Sequence, residues 1–385
     1  MVTKIKNGRL ILPDAVAEDF SLYIKDEKIM AVTRENLAFD REIDAEHAYV
    51  SAGFIDMHVH GGGGYDFMDG GTEPIFKAAK MHLLHGTTSL LATTLACSTQ
   101  VLTEFLFDLG RAKQSCKSII GAHLEGPYFS LQQSGAQNPD YIKPPEEAEY
   151  RKLIEQSGSL IKRWSFAPEL EGSETFCRTL LQNNILPSIG HSDAVLSDVQ
   201  KVYDMGCHML THLYSGMSTI TRQGGFRRLG VVESAYYFDD MCAEIIADGC
   251  HLPPELLKLI VKLKGTDNIC LITDSMRAAG LPDGESFLGR RGEETPCIVE
   301  DGVAKLLDRS AFAGSVATAD RLVRVMVQEA GVTVHDAVKM MTVNPARILG
   351  LQQKGSLQEG YDADIVLFDE NIRIQCVLQG GIVVE

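Results

Sequence analysis

The chain has 385 residues, 45% of them hydrophobic, and a formal net charge of -16 at pH 7. That much apolar material fills one large barrel or two medium domains, and it excludes a disordered chain. The surplus of negative charge repels polyanions, so nucleic acid and acidic membrane surfaces are excluded as partners.

Residues 2 to 50 hold short alternating pieces, "TKIKNGRLIL", "FSLYIKDEKIMAVT" and "REIDAEHAYVSAG", broken by turn residues. They read as strands, with the Lys-Asp-Glu-Lys at residues 25 to 28 as a hairpin turn. The opening "MVTKIKNGRLIL" has no signal-peptide core, and no apolar run approaches the roughly 20 residues of a membrane helix. Nine cysteines are scattered without a Cys-x-x-Cys pair, the usage of a reducing compartment. The expected location is the cytoplasm.

From residue 51 the pattern changes. Short apolar runs ("VSAGFIDMHVH", "TTSLLATTL", "SIIGAHLEG", "RWSFAPE", "ILPSIGHSD", "CHMLTHL", "AEIIADG", "NICLITDS") alternate with helical stretches such as "EPIFKAAKMHLLHG" and "TQVLTEFLFDLGRAKQ". Eight such β-α units predict a (β/α)8 TIM barrel over residues 51–350. A hairpin interrupts it near 295–307, with Asp301-Gly302 as its turn. Residues 351–385 end in "ADIVLFDE", "RIQCVLQ" and "GIVVE". Neither terminal β segment buries a core alone, so residues 1–50 and 351–385 are expected to meet in one small β-sandwich domain.

Active sites of such barrels gather at the C-terminal ends of the strands. His58 and His60 end strand one, Glu125 strand three, His191 strand five, His212 strand six and Asp274 strand eight. Five of eight strand ends therefore carry a residue that can bind a metal. His58 and His60, two apart on a strand, face the same side and can share one cation, and the glycines after them keep bulk out of the mouth. Neutral imidazole with carboxylate suits zinc or iron(II) rather than magnesium. A divalent cation lowers the pKa of water to about 7 and polarises a carbonyl, the chemistry of amide hydrolysis. A carboxylate beside that water shuttles its proton, and Asp274 is the best-placed candidate.

These residues lie within longer motifs: "GAHLEGPYFS", "SIGHSDA", "THLYSGM", "IADGCHLPP", "LITDSMRAAG", "FAGS", "MMTVNPARILGL" and "KGSLQEGYDADIVLFD". Together they closely resemble N-acetylglucosamine-6-phosphate deacetylases of the amidohydrolase superfamily, over nearly the whole chain. The resemblance implies hydrolysis of the acetamide of N-acetylglucosamine 6-phosphate to glucosamine 6-phosphate and acetate. It makes Glu125, His191 and His212 the principal metal ligands, Asp274 the general base and acid, and His251 a contact to the sugar or its phosphate. It extends substrate binding to Ala136, Gln137, Ser215, Gly216, Arg222, Phe312, Ala313 and Gly314. Because His58 and His60 are present, one or two ions per subunit are expected. A homodimer is implied, since in the family the loop at 218–228 can reach a neighbouring subunit's site.

The chain also departs from the family. Gln137 stands where many relatives have histidine, Ser215-Gly216 replaces Asn-Ala or Asn-Gly, and "TITRQGGFRR" offers Arg222 as the phosphate-binding arginine with Arg227 and Arg228 as alternatives. Met276 and Arg277 are unusual and are expected to reshape substrate access. His123 and His208 are expected to pack inside the barrel or support the ligands, and His82, His85 and His335 to lie at the surface. Two rival functions keep the same residues: an amidohydrolase acting on N-acetylgalactosamine 6-phosphate or another N-acyl compound, and a catalytically silent sugar-phosphate sensor.

Overall fold

The computed structural model describes all 385 residues. Eight strands form one sheet in which every pairing is parallel: β1 (Phe54–Val59), β2 (Thr87–Thr93), β3 (Ile119–Glu125), β4 (Ile161–Phe166), β5 (Leu186–Ile189), β6 (Met209–Leu210), β7 (Cys242–Ile245) and β8 (Ile269–Leu271). The chain just beyond β8 returns to β1 through Asp274 N–H to His58 O (2.9 Å), His60 N–H to Ser275 O (2.9 Å) and Thr273 Oγ1–H to Asp56 Oδ2 (2.5 Å). These bonds bring the two ends of the sheet together as a barrel. The strands are nearly continuous apolar runs because both their faces are covered.

A helix follows each strand: α1 (Thr72–Leu84), α2 (Thr99–Lys113), α3 (Glu147–Ser157), α4 (Ser173–Gln182), α5 (Leu196–Tyr203), α6 (Val231–Tyr237), α7 (Pro254–Lys264) and α8 (Ala319–Gln328). α2 shows why. Ser98 Oγ accepts Val101 N–H to cap its start, and Val101, Leu102, Phe105, Leu106, Leu109 and Ala112 recur at helical spacing to form the buried face. A core of 67 buried residues lies between strands and helices.

The terminal segments form two further sheets. Val2–Lys6, Ser21–Lys25, Lys28–Thr33 and Arg41–Asp44 make one, and the turn between Lys25 and Lys28 is the hairpin expected there. The other combines Arg9–Ile11, Val16–Ala17 and Tyr49–Ala52 with the C-terminal Ile365–Phe368, Ile374–Gln379 and Ile382–Val383. A common cluster of 13 buried residues, including Ile5, Leu22, Val50, Ile365 and Leu378, joins them.

The run "VSAGFIDMHVH" is therefore not one strand. Tyr49–Ala52 pairs antiparallel with Ile365–Phe368, and the barrel begins at Phe54. The chain passes from one sheet to the other at Gly53, where a Cβ would lie 2.1 Å from Thr88 Oγ1. The hairpin after β8 has a third strand: Gly284–Leu288 pairs with Thr295–Glu300, which pairs with Val303–Leu306.

Candidate active site

The C-terminal mouth of the barrel opens into a cavity of about 220 Å³ lined by His60, Glu125, His191, His212, His251 and Asp274 among others. Glu125 is at its focus. Its Oε1 lies 2.9 Å from His212 Nε2, 3.0 Å from His191 Nε2 and 3.7 Å from His58 Nε2. Its Oε2 lies 3.4 Å from His60 Nε2. Asp274 Oδ1 faces His60 Nε2 at 3.0 Å and His58 Nε2 at 3.4 Å. All six side chains are buried or nearly so.

The outward nitrogen of each ring decides what the inward one can do. His58 Nδ1 meets Glu244 Oε2 at 3.2 Å, His191 Nδ1 meets Gln133 O at 2.7 Å, and His212 Nδ1 meets Ser215 O at 3.1 Å. Each of those oxygens only accepts, so each Nδ1 carries the hydrogen. With Nδ1 carrying its hydrogen, each Nε2 can meet Glu125 or Asp274, which only accept, through a proton or a shared cation. Such a set of converging acceptors calls for a cation. Two overlapping groups within it have metal-binding dimensions: His58, His60 and Asp274, and His58, Glu125 and His212.

The protonation balance of the bare site agrees. Burial opposes charge on His58, yet Asp274 and Glu125 beside it outweigh that and push it up to about 10. Burial also opposes ionisation of Asp274 and Glu125, but His58 and the other imidazoles hold Asp274 at about 2 and Glu125 well below the usual carboxylate range. Nitrogen and oxygen donors, all inward and all favouring added positive charge, fit a divalent metal ion.

Beneath the site lies a buried network that sequence reading missed. Glu244 on β7 accepts from His58 Nδ1 and from the backbone N–H of His212 (3.2 Å), and it forms an ion pair with the fully buried Arg163 of β4. Arg163 also donates to Ser188 Oγ and Thr211 Oγ1, both at 2.9 Å. The one signal available was a carboxylate inside the apolar run "CAEIIADG", since a charge is buried only when partnered. His123, as expected, is inside the barrel. Its Nε2 lies 2.7 Å from Ser165 Oγ and its ring packs edge-on against His58.

Of the substrate-site residues, Ala136, Gln137, Ser215, Gly216, His251, Phe312 and Gly314 line the cavity. His251 Nδ1 pairs with Asp248 Oδ2 at 2.8 Å and its ring packs on Phe312, which leaves Nε2 free. Ala313 does not line the cavity; its Cβ packs behind the wall with Met276 and Leu288. Leu95, Gly135, Leu288 and Ala311 complete the lining without having been expected.

Arg222, Arg227 and Arg228 sit on an exposed hairpin, Thr221–Gln223 against Phe226–Arg228, and no arginine or lysine of the same copy lines this cavity. Other expectations are corrected. Met276 and Arg277 do not reach the cavity either: Met276 is core, and Arg277 is pinned by both oxygens of Asp69 (2.9 and 3.1 Å). His82 is fully buried, with Nε2 2.9 Å from Gly61 O, because it falls on the inner face of α1. His208 instead sits outside the barrel, stacked on Tyr203 and paired with Asp240 at 3.2 Å.

Comparison with known proteins agrees with this geometry. The model of the amidohydrolase family matches residues 49–383. An N-acetylglucosamine-6-phosphate deacetylase of Lysinibacillus sphaericus is 34% identical, covering 98% of this chain and 96% of that protein. An N-acetylgalactosamine-6-phosphate deacetylase of Escherichia coli O157:H7 is also 34% identical, covering 99% of each. Among solved structures, an N-acetyl-D-glucosamine-6-phosphate deacetylase D267A mutant of Mycobacterium smegmatis, in complex with N-acetyl-D-glucosamine-6-phosphate, superposes with a TM-score of 0.91 at 28% identity, covering 100% of this chain and 98% of that one. The strand-end histidines and acids thus stand in a fold shared over the full length, and the chain belongs to the amidohydrolase family.

Proposed function

We propose that the chain is a metal-dependent deacetylase that hydrolyses the acetamide of N-acetyl-D-glucosamine 6-phosphate to D-glucosamine 6-phosphate and acetate. The observation that carries this reading is the convergence of four imidazoles on the buried carboxylates of Glu125 and Asp274 at the open end of the barrel. The relatives and the sugar-phosphate complex of the Mycobacterium smegmatis protein supply the substrate class.

Glu125, His191 and His212 would hold one divalent cation, zinc or iron(II). His58, His60 and Asp274 would hold a second, with Glu125 shared. When bound, such a cation polarises the acetyl carbonyl and makes water acidic enough to attack it at neutral pH. Asp274 is ionised at neutral pH, so it receives the water's proton and then delivers it to the departing nitrogen. His251, its ring set by Asp248 and Phe312, presents Nε2 to the acetyl oxygen or the sugar. Leu95, Leu288 and Phe312 give the cavity apolar walls that exclude bulk water.

The cavity lining holds no cation to meet a phosphate. We therefore assign that task to Arg222, Arg227 or Arg228 of a second copy, whose exposed hairpin would reach across a homodimer. We also take the two outer sheets to be one small β-sandwich domain, residues 1–50 and 351–385, which supplies no site residue. The chain's location would be the cytoplasm; no helix is long and apolar enough to cross a membrane.

The test is acetate release by metal-quantified protein from the 6-phosphates of N-acetylglucosamine and N-acetylgalactosamine and from their dephosphorylated forms. Highest kcat/KM on the glucosamine 6-phosphate epimer is expected. Preference for the galacto epimer, which the Escherichia coli relative's name makes the second reading, would correct the substrate, and no release from any of the four would overturn the activity.

A further inference from the structure

Gln137 is only 6% exposed, and both ends of its amide are committed. Its Oε1 accepts the backbone N–H of Ala96 at 2.7 Å, and its Nε2 donates to Glu125 Oε2 at 2.7 Å. A backbone N–H only donates and an ionised carboxylate only accepts, so the orientation of the amide is set from both sides. Glu125 is the carboxylate shared by the two halves of the cation site, and its oxygens are not equivalent. Oε1 faces the Nε2 atoms of His191, His212 and His58, the rings that would share a cation with it, and no other side chain donates to it. Oε2, the oxygen nearer His60, gives one of its lone pairs to Gln137. A hydrogen bond to a charged acceptor withdraws electron density from that oxygen and weakens it as a ligand.

We infer that Gln137 is a positioning residue that makes the two cation half-sites unequal, weakening the one formed with His58, His60 and Asp274 relative to the one formed with His191 and His212. This rests on the cation-binding reading above, but not on the substrate. The role differs from the substrate contact implied by the family resemblance, because the donor faces a carboxylate of the protein.

The experiment titrates metal-stripped, full-length protein with Co(II) alone, followed by calorimetry and by the visible absorption of the bound ion. The wild type is expected to bind in two steps separated by about tenfold or more. Gln137→Leu removes the donor, restores the basicity that a hydrogen bond to the carboxylate lowers, and is expected to tighten the second step about tenfold relative to the first. Gln137→Met is close in volume and also lacks the donor. It is expected to tighten the second step too, and it serves if the leucine variant does not fold. A second ion too weak to see in the wild type is the extreme of the same inequality, and the variants must then reveal it. Two equal steps in the wild type would overturn the inference, as would variants that leave the separation unchanged or weaken both steps by one factor. Absence of acetate release would sink the deacetylase reading while leaving these titrations intact.

Discussion

His191, His212 and Asp274 have φ of 46°, 28° and 48°, in the left-handed region that side-chain-bearing residues rarely enter. Each follows a barrel strand and turns there so that its side chain faces the axis. Strain of this kind persists only where surrounding contacts over-determine it, and here the backbone N–H of His212 is held by Glu244 while that of Asp274 is held by His58 O. Asn tolerates this conformation as well as Asp. Asp274→Asn should therefore fold and retain the cation assigned to Glu125, His191 and His212 while losing turnover by about 1000-fold or more, with metal analysis and acetate release measured on the same sample. Near-wild-type turnover would remove Asp274 from the proton path. The strand-end acids and histidines were legible because each interrupts the end of an apolar run. Their positive φ and their outer partners were not, since Gln133 and Ser215 act through backbone carbonyls, which any residue possesses.

Among elements, the loop after β6 leaves no room for a side chain at Gly216. Gly216 has φ of 57°, and a Cβ there would lie 2.8 Å from His191 Nδ1 and 3.1 Å from Gln133 O. Gly216→Ala should push the His191 ring off its carbonyl and lower metal affinity about 10- to 100-fold, as loss of an outer-shell partner does, read by equilibrium dialysis. Asp66, in the short hairpin after β1, is 1% exposed and has one carboxylate oxygen without a partner. Burial pushes it from the usual 3.8 up to about 6, against the Met68 N–H and Arg277, which favour its ionised form. Below about pH 4 it is neutral whether folded or unfolded. Through the next two units the unfolded chain ionises first, so stability is lost as pH rises, by about 2 to 3 kcal/mol once pH passes 6. Asp66→Asn cannot ionise, so its melting-temperature advantage over the wild type should grow between about pH 4 and pH 6 and level off above; a gap that stays constant or shrinks across that window would refute this. Elements were easiest to read where periodicity was long, as in α2. His82 was readable in principle, since it continues the buried positions Ile75, Ala78 and Ala79 of α1, whereas "GESFL" was too short and polar to announce a strand.

At the scale of the whole molecule, the exposed arginine hairpin and the cation-free cavity are the two facts that one copy leaves unreconciled. Ile220 and Phe226 beside those arginines are 51% and 79% exposed, an apolar edge that a second copy would cover. Charge reversal of Arg222, Arg227 and Arg228 to Glu should raise KM for the phosphorylated sugar about 100-fold or more, at about 1.5 to 3 kcal/mol per lost charge-assisted bond. It should leave metal content and the unphosphorylated substrate unchanged, and unchanged KM for both would exclude the hairpin. The barrel was legible from eight alternating units. The handover at Gly53 was not, because an apolar run continues through it and only three-dimensional pairing shows that it serves two sheets.

That handover has a consequence for biogenesis. The segment leading into the His58 strand finds its neighbour in Ile365–Phe368, which is made long after it. Until they emerge, Tyr49–Ala52 keeps an unpaired edge and the entry to the first barrel strand lacks its anchor. Cation loading on the His58 side would thereby wait until Ile365–Phe368 has been made, and chains truncated before Ile365 should emerge as sticky, metal-poor intermediates.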